Sequence, residues 1–274
     1  MPELPEVETV KETLKRQILN KTIKNINIYW DNIIAYPAKD LFITNIKNQM
    51  IKDINRKGKW LIFELSDYYL LCHLRMEGKF FIKDGSAERV KHEHIIFQLD
   101  DVDLRYHDTR KFGKMHLLKK EELMIRGPLT KVGLEPFDED LTPAYLKAKY
   151  KNKKIPIKTA LLDQSIITGI GNIYADEILF RAKINPLKKA NTLTNKELER
   201  IIDNTKKVLI EAITMGGTTI KSYTSSLGVT GRFQQELMVH NQKGKPCKTC
   251  GSVIEKIVVN GRGTYYCPKC QKKT

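Results

Sequence analysis

Near the start of the chain the apolar positions Val7, Val10, Leu14 and Ile18 recur three and four residues apart, the spacing of one helix face. Pro5 suits the first turn, where a missing N–H costs nothing, and Glu6 and Glu8 sit well against the positive end of a helix dipole. The next hundred residues change period. TIKNINIYW, KWLIFEL, YYLLCHL, KFFIK, HIIFQL and KMHLLK are short, rich in β-branched and aromatic residues, and separated by turn signals. That pattern predicts an antiparallel sandwich or barrel.

From about residue 130 the pattern switches again. GPLTKVGLEPFDEDLTP is rich in Gly, Pro and acids and reads as an interdomain linker. Helical segments follow: AYLKAKY, IKTALLD, NIYADEILFRA, and a long one from Thr194 to about Met215. Thr194 and Glu197 have capping-box spacing, Leu198, Ile201, Ile202, Leu209 and Ile213 mark one face, and Gly216-Gly217 end it. TSSLGVTGRF then reads as a mobile loop, and the tail from about His240 differs in kind. The expected organisation is α+β: a sandwich domain over 1–130, a linker over 131–141, a helical domain over 142–239 and a separate tail over 240–274.

The length of 274 residues accommodates two modest domains with ample core. No apolar run reaches the length of a membrane span, and no basic-then-apolar secretory leader is seen, which places the expectation in the cytoplasm. Charge changes the picture more. Lys and Arg number 48 against 32 acids, a formal +16, which favours a polyanionic partner. A generally basic proteome or an anionic lipid surface would give the same excess.

Cys72, in YLLCHL, reads as a small buried residue. The other cysteines form Cys247-x-x-Cys250 and Cys267-x-x-Cys270, four thiolates that can close a tetrahedral zinc site. Between them two alternating segments flank Asn260-Gly261, a hairpin signal, so the tail reads as a zinc ribbon. About 35 residues cannot build a sufficient core without such a clip. The tail carries eight basic residues and one acid, a net of +7, with Arg262 at the hairpin tip, either a solvated turn residue or a phosphate ligand. Upstream, the glycines of Gly169-Ile-Gly171-Asn172-Ile-Tyr174 precede a helix, where backbone N–H groups and the Asn172 amide can meet an anion; a plain interhelical turn has the same look.

One oddity is the opening MPELPEVETV, two prolines among three glutamates. Taken with the Gly169–Tyr174 turn and the ribbon, it resembles bacterial formamidopyrimidine-DNA glycosylase. Arg56-Lys-Gly-Lys59, His73-Leu-Arg-Met76-Glu-Gly78, Asp108-Thr-Arg110-Lys-Phe112-Gly113 and Gly261-Arg262-Gly-Thr264 fit the same family pattern in order. The resemblance implies an enzyme that excises oxidised purines, such as 8-oxoguanine and formamidopyrimidines, and cuts the strand by β,δ-elimination. It implies a helix–two-turn–helix element in the helical domain, one structural Zn2+, damaged or abasic double-stranded DNA as partner, no membrane, and a monomer.

The resemblance also assigns residues. Removal of Met1 leaves Pro2 as a secondary amine, and an α-amino group titrates near ~8, so a neutral fraction can attack the sugar C1′ and form a Schiff base. Glu3 is the implied proton donor, Lys59 assists β-elimination, and Arg262 grips phosphate and assists δ-elimination. His92, Arg110, Lys153 and Asn172 align with DNA-contacting positions, and Thr218 to Gln235 with the lesion-contacting loop. Met76, Arg110 and Phe112 are the implied wedges that fill the stack once a base is flipped out. From the residues alone Met76 and Phe112 read as core, although a glycine follows each motif, as at a loop tip. Two other readings remain: a related glycosylase for oxidised pyrimidines, whose start carries Gly where this chain has Leu4, and a non-catalytic zinc-ribbon protein that binds nucleic acid.

Overall fold

The computed structural model describes residues 1–218 and 231–273. Most of TSSLGVTGRF, and of the stretch aligned with a lesion-contacting loop, lies outside the described residues. The chain forms two compact units, Met1–Thr130 with Gly216–Gly231, and Lys131–Met215 with Arg232–Thr274.

In the first unit, helix α1 (Leu4–Ile18) buries all four residues whose spacing predicted it, Val7, Val10, Leu14 and Ile18. Strands β1 (Asn25–Ile28) and β2 (Ile34–Tyr36) follow, then a short helix α2 (Lys39–Ile46) in a region whose sequence reads as strands throughout. Phe42 and Ile46 bury its inner face. Next come β3 (Ile51–Lys57), β4 (Trp60–Leu65), β5 (Tyr68–His73), β6 (Lys79–Lys83), β7 (Glu93–Gln98), β8 (Asp103–His107) and β9 (Lys114–Lys119). They make two sheets, in the orders β1-β7-β8-β6 and β2-β9-β5-β4-β3.

Alternation explains the sandwich. Leu61, Phe63 and Leu65 of β4 share a face with their register neighbours Cys72, Leu70, Met115 and Leu117. Ile95, Phe97, Leu104, Tyr106 and Phe80 of the other sheet enter the same core, together with α1. Cys72 is a buried core residue whose thiol burial pushes well up, as its apolar context predicts. One detail departs from the expected antiparallel pattern: the short β2 runs parallel to β9.

Arg105, in the middle of β8, is an unforeseen anchor. Its guanidinium, 2% exposed, meets Asp103 at 2.9 Å and Glu93 at 3.2 Å and donates to the carbonyls of Ala87 and Glu88. These bonds tie down the loop that leads into β7.

The second unit contains α3 (Pro143–Tyr150), α4 (Ile157–Leu161), α5 (Asn172–Arg181) and α6 (Asn195–Thr214). Thr194 and Glu197 form the predicted capping box on α6. Its apolar face is Leu198, Ile201, Ile202 and Leu209 as expected, completed by Val208 and Ala212, with Ile213 half-buried. The residues read as a linker are packed against this unit. Gly133 and Leu134 donate backbone hydrogen bonds to Gln164 and Ile166, Leu134 pairs with Ile167, and Leu141 is buried. The ribbon follows as the hairpin β10 (Glu255–Val259) and β11 (Arg262–Tyr266).

Replacing Arg105 with Met would leave the buried Asp103 without its cation and Glu93 with Lys83 alone. Urea denaturation of Arg105→Met should show a loss of about 3–5 kcal/mol, the cost of breaking a buried pair by removing one partner.

Candidate active site

In the first unit Pro2, Glu3 and Lys59 are all buried. Glu3 caps α1, and its backbone N–H donates to Glu6 Oε2 at 2.9 Å. The other Glu6 oxygen accepts from Thr218 N at 2.8 Å and Thr218 Oγ1 at 3.0 Å. Glu6 therefore is not merely a dipole partner; it ties the chain's beginning to residue 218. Gly217, at φ +78°, passes so close that an added Cβ would stand 2.7 Å from Glu6 Oε1.

Lys59 occupies the two-residue turn between β3 and β4, where Lys57 pairs with Trp60 and Gly58 supplies a φ of +58°. Arg56 steadies this turn, donating to Glu8 Oε2 at 2.7 Å and to Gly58 O at 3.0 Å. On residue type alone Lys59 would be an exposed edge charge, yet it is 5% exposed. The chain's terminal amine, at Met1, is held below its ordinary value because burial disfavours the ammonium; Glu3 and Glu6 oppose this and Lys59 adds to it. His73, edge-on to Trp60 at 4.8 Å, is pulled down to about 3 by burial, with the Arg75 and Lys59 charges adding. It stays neutral, and its Nδ1 accepts from Arg75 N.

Met76, Arg110 and Phe112 stand on two loops built against one ring. An added Cβ at Gly78 or at Gly113 would overlap the hydroxyl of the buried Tyr106. Both loops therefore close on that ring only because neither residue has a side chain. Asp108, fully buried, accepts from Arg110 N at 3.0 Å and Gly113 N at 2.9 Å, and Thr109 donates to Glu77 between the two loops. Phe112 is 48% exposed, with the Arg110 guanidinium 4.7 Å from its ring centre, and Met76 is half-buried. Phe112 is thus not a core residue. His92, at φ +71°, accepts from Asp108 N at 3.0 Å through its carbonyl, and its ring lies 5.7 Å from that of His107.

In the second unit, Gly169 has φ +93° and Asn172 opens α5 behind Gly171. Asn172 Nδ2 donates to Gly263 O at 3.0 Å, while its Oδ1 is buried without a hydrogen-bond partner. An amide carries two hydrogens, so one donor remains beyond the ribbon contact. Arg262 is exposed at the first position of β11, after Asn260 and Gly261, both at positive φ as the predicted hairpin turn requires. Asn260 Nδ2 donates to Thr159 Oγ1 at 3.1 Å. Lys153 pairs with Asp163 at 3.1 Å and stays part-exposed. Burial pushes Asp163 up, but hydrogen bonds from Ser165 and Lys153 outweigh it and leave the carboxyl below its usual range.

Sequence reasoning missed Lys158. It is wholly buried, 2.7 Å from Asp176 Oδ1, and donates to Gly263 O at 3.0 Å and Thr264 Oγ1 at 2.8 Å. Asp176 Oδ2 also meets His240 Nδ1 at 2.8 Å and accepts from Tyr265 N. The residues flanking Arg262 are therefore bolted to α4 and α5 by charge. The only sequence signal for this is a lysine and an aspartate on helices of low polarity.

The four cysteines meet in the ribbon, their sulfurs all within 4.8 Å of one another. Cys247 to Cys270 measures 4.0 Å and Cys250 to Cys267 3.5 Å. Zn–S bonds of ~2.3 Å put tetrahedral sulfurs about 3.8 Å apart, so the donor set fits one zinc and is far too open for disulfides. Cys247, Cys250, Cys267 and Cys270 hold a single structural metal ion.

Three family descriptions match the chain: the formamidopyrimidine-DNA glycosylase N-terminal domain over residues 1–115, its H2TH domain over 132–224, and a zinc finger found in FPG and IleRS over 244–273. The chain is 48% identical over 273 residues to the formamidopyrimidine-DNA glycosylase of Oceanobacillus iheyensis, covering 99% of this chain and 98% of that protein. It is 47% identical to that of Bacillus subtilis, over the whole of both chains. The Lactococcus lactis protein, solved with DNA containing an abasic site, superposes with a TM-score of 0.93 at 38% identity, covering 99% of this chain and 100% of that one.

Cys247→Ser should release the metal, measurable by elemental analysis, and lower affinity for duplex DNA at least about tenfold in a filter-binding assay. The apolar core of the first unit contains none of these ligands, so its β-sheet circular dichroism should persist.

Proposed function

The chain belongs to the formamidopyrimidine-DNA glycosylase family, and from that premise we propose which of its residues carry out excision and strand cleavage. The enzyme is a base-excision repair glycosylase and abasic-site lyase acting on double-stranded DNA. Pro2 is the nucleophile once Met1 is removed. Its nitrogen lone pair bonds to C1′ as the C1′–base bond breaks, and the C1′–O4′ bond then opens to give an iminium; the departing base and O4′ each take up a proton, one delivered by Glu3 as a carboxylic acid and one released from the Pro2 nitrogen. The resulting iminium acidifies the C2′ hydrogens. Loss of one expels the 3′ phosphate, and a second elimination expels the 5′ phosphate. Lys59 assists the first step and Arg262 the second.

The observation that carries this reading is the burial of Pro2 together with Glu3 and Lys59. A neutral amine is what attack requires. Met76, Arg110 and Phe112 fill the stack after the base is flipped, while His92, Lys153 and Asn172 hold the backbone. The Lactococcus lactis relative has been solved with Fapy-dG and with an oxidised pyrimidine, so binding in this family spans both ring types. Oxidised purines are the main substrates here, because Leu4, Met76 and Phe112 follow the purine-type pattern. We place the enzyme in the cytoplasm, as a monomer on the DNA it repairs; among the described residues no helix is long and apolar enough to cross a membrane. We divide the chain into a catalytic domain over 1–130, a helix–two-turn–helix domain over 142–239 and a zinc finger over 240–274.

Borohydride should trap the mature enzyme on abasic-site DNA through Pro2, as peptide mass spectrometry can read. A chain that keeps Met1 should give no adduct, and an adduct on another side chain overturns the assignment. Attack requires the unprotonated amine, so the trapping rate should rise with pH as the Pro2 ammonium exposed by loss of Met1 gives up its proton, and level off above about pH 8, the ordinary range of an α-amino group.

A further inference from the structure

At the far end of α5 from Asn172, the turn leading toward α6 packs against the last knuckle of the ribbon. Asn185 Nδ2 donates to Gln271 O at 2.8 Å, Gln271 Nε2 to Ile184 O at 2.9 Å, and Cys267 N to Gln271 Oε1 at 2.9 Å. Asn185 and Gln271 are buried, so this seam is fixed and two adjoining clefts are preformed along it. One, of about 230 Å³, is walled by Lys183, Arg200, Lys269 and Lys272. The other, of about 250 Å³, has Leu187 and Thr192 in its lining beside Lys189 and Lys273. Asn185 and Lys188 line both.

The charge here is mostly of one sign. Glu197 is the one carboxylate in either lining and is paired with Lys188 at 2.7 Å, and the metal-binding thiolate of Cys270 lines the first cleft. Arg200 spends its Nε on Ala182 O. Lys183, Lys189, Lys269, Lys272 and Lys273 form no ion pair among the described residues. The seven cations in these linings outnumber Glu197 and the Cys270 thiolate; cations in such excess repel one another, and an anionic ligand relieves that repulsion. These cations are also remote from the groups proposed to grip phosphate. α5 spans ten residues, about 15 Å, between Asn172 and this cleft, and β11 runs from Arg262 away toward the same knuckle.

Two features separate a peptide from a nucleic acid as the occupant. A duplex backbone is a regular row of charges, whereas these cations are interrupted by a pit whose lining includes Leu187, 38% exposed. The pit is also smaller than the ~300 Å³ at which small-molecule pockets begin, a size suited to a single side chain. We infer that this paired cleft binds a short acidic protein segment bearing one apolar side chain, which docks a partner protein on the enzyme. The inference is independent of the catalytic assignment.

The test uses the full-length, zinc-loaded enzyme and fluorescence anisotropy. The probe is a fluorescein-labelled oligoglutamate peptide with one central phenylalanine; comparators replace that phenylalanine with serine, or use a labelled single-stranded oligonucleotide of equal charge. Lys183→Glu with Lys272→Glu should weaken the peptide at least about tenfold. Leu187→Ser should weaken the phenylalanine peptide severalfold and leave the serine peptide unchanged. Both variants should keep wild-type zinc content, melting temperature and excision rate. Peptide affinity insensitive to these changes overturns the inference. So does a parallel loss of oligonucleotide binding, which would make the cleft a nucleic-acid track.

Discussion

A chain end is ordinarily the loosest part of a protein, and in this one the Glu6 carboxylate holds it in place. Three donors converge on that carboxylate, from the backbone of Glu3 and from the backbone and hydroxyl of Thr218. Hydrogen bonds to a buried charge contribute about 1.5–3 kcal/mol each, against roughly 1–2 kcal/mol to fix the backbone of one residue. The balance suffices to order the few residues ahead of α1. Without it, Pro2 would sample many positions and lose the burial it shares with Glu3 and Lys59.

The second unit solves the same problem for Arg262 by different means. A hairpin tip at the edge of a small ribbon has little apolar surface to hold it. Here the metal closes one end, and the Lys158–Asp176 pair, itself wholly buried, grips the strand beside the tip through Gly263 and Thr264. Asn172 shares the acceptor Gly263 O with Lys158, so the helix start and the hairpin move together.

Local features were legible in the sequence because they need only local chemistry. The α1 face, the α6 capping box, the Asn260-Gly261 turn and the four-cysteine cluster each depend on spacing along a few residues or on paired motifs. What escaped depends on partners far along the chain. Lys158 meets Thr264, Glu6 meets Thr218, and Arg105 meets carbonyls across a loop, and no periodicity marks a polar residue that will be buried. Lys59 shows the limit most plainly, since only the family pattern distinguished it from a solvated edge charge. The stretch read as a linker starts at the division between the two units, but its Gly, Pro and acids gave no hint of the Leu134–Ile167 pairing.

The glycines that let two loops abut the Tyr106 hydroxyl also constrain how those loops can diverge. At position 113 a larger residue requires a smaller ring at 106, whereas at position 78 the Leu74 carbonyl, 2.6 Å from an added Cβ, excludes one whatever the ring. Drift at 106 and 113 is therefore correlated and position 78 is held to glycine, while Phe112, displayed on these loops, is 48% exposed and open to exchange. A library that diversifies the tips and freezes these three positions would explore new wedge chemistry on an undisturbed foundation.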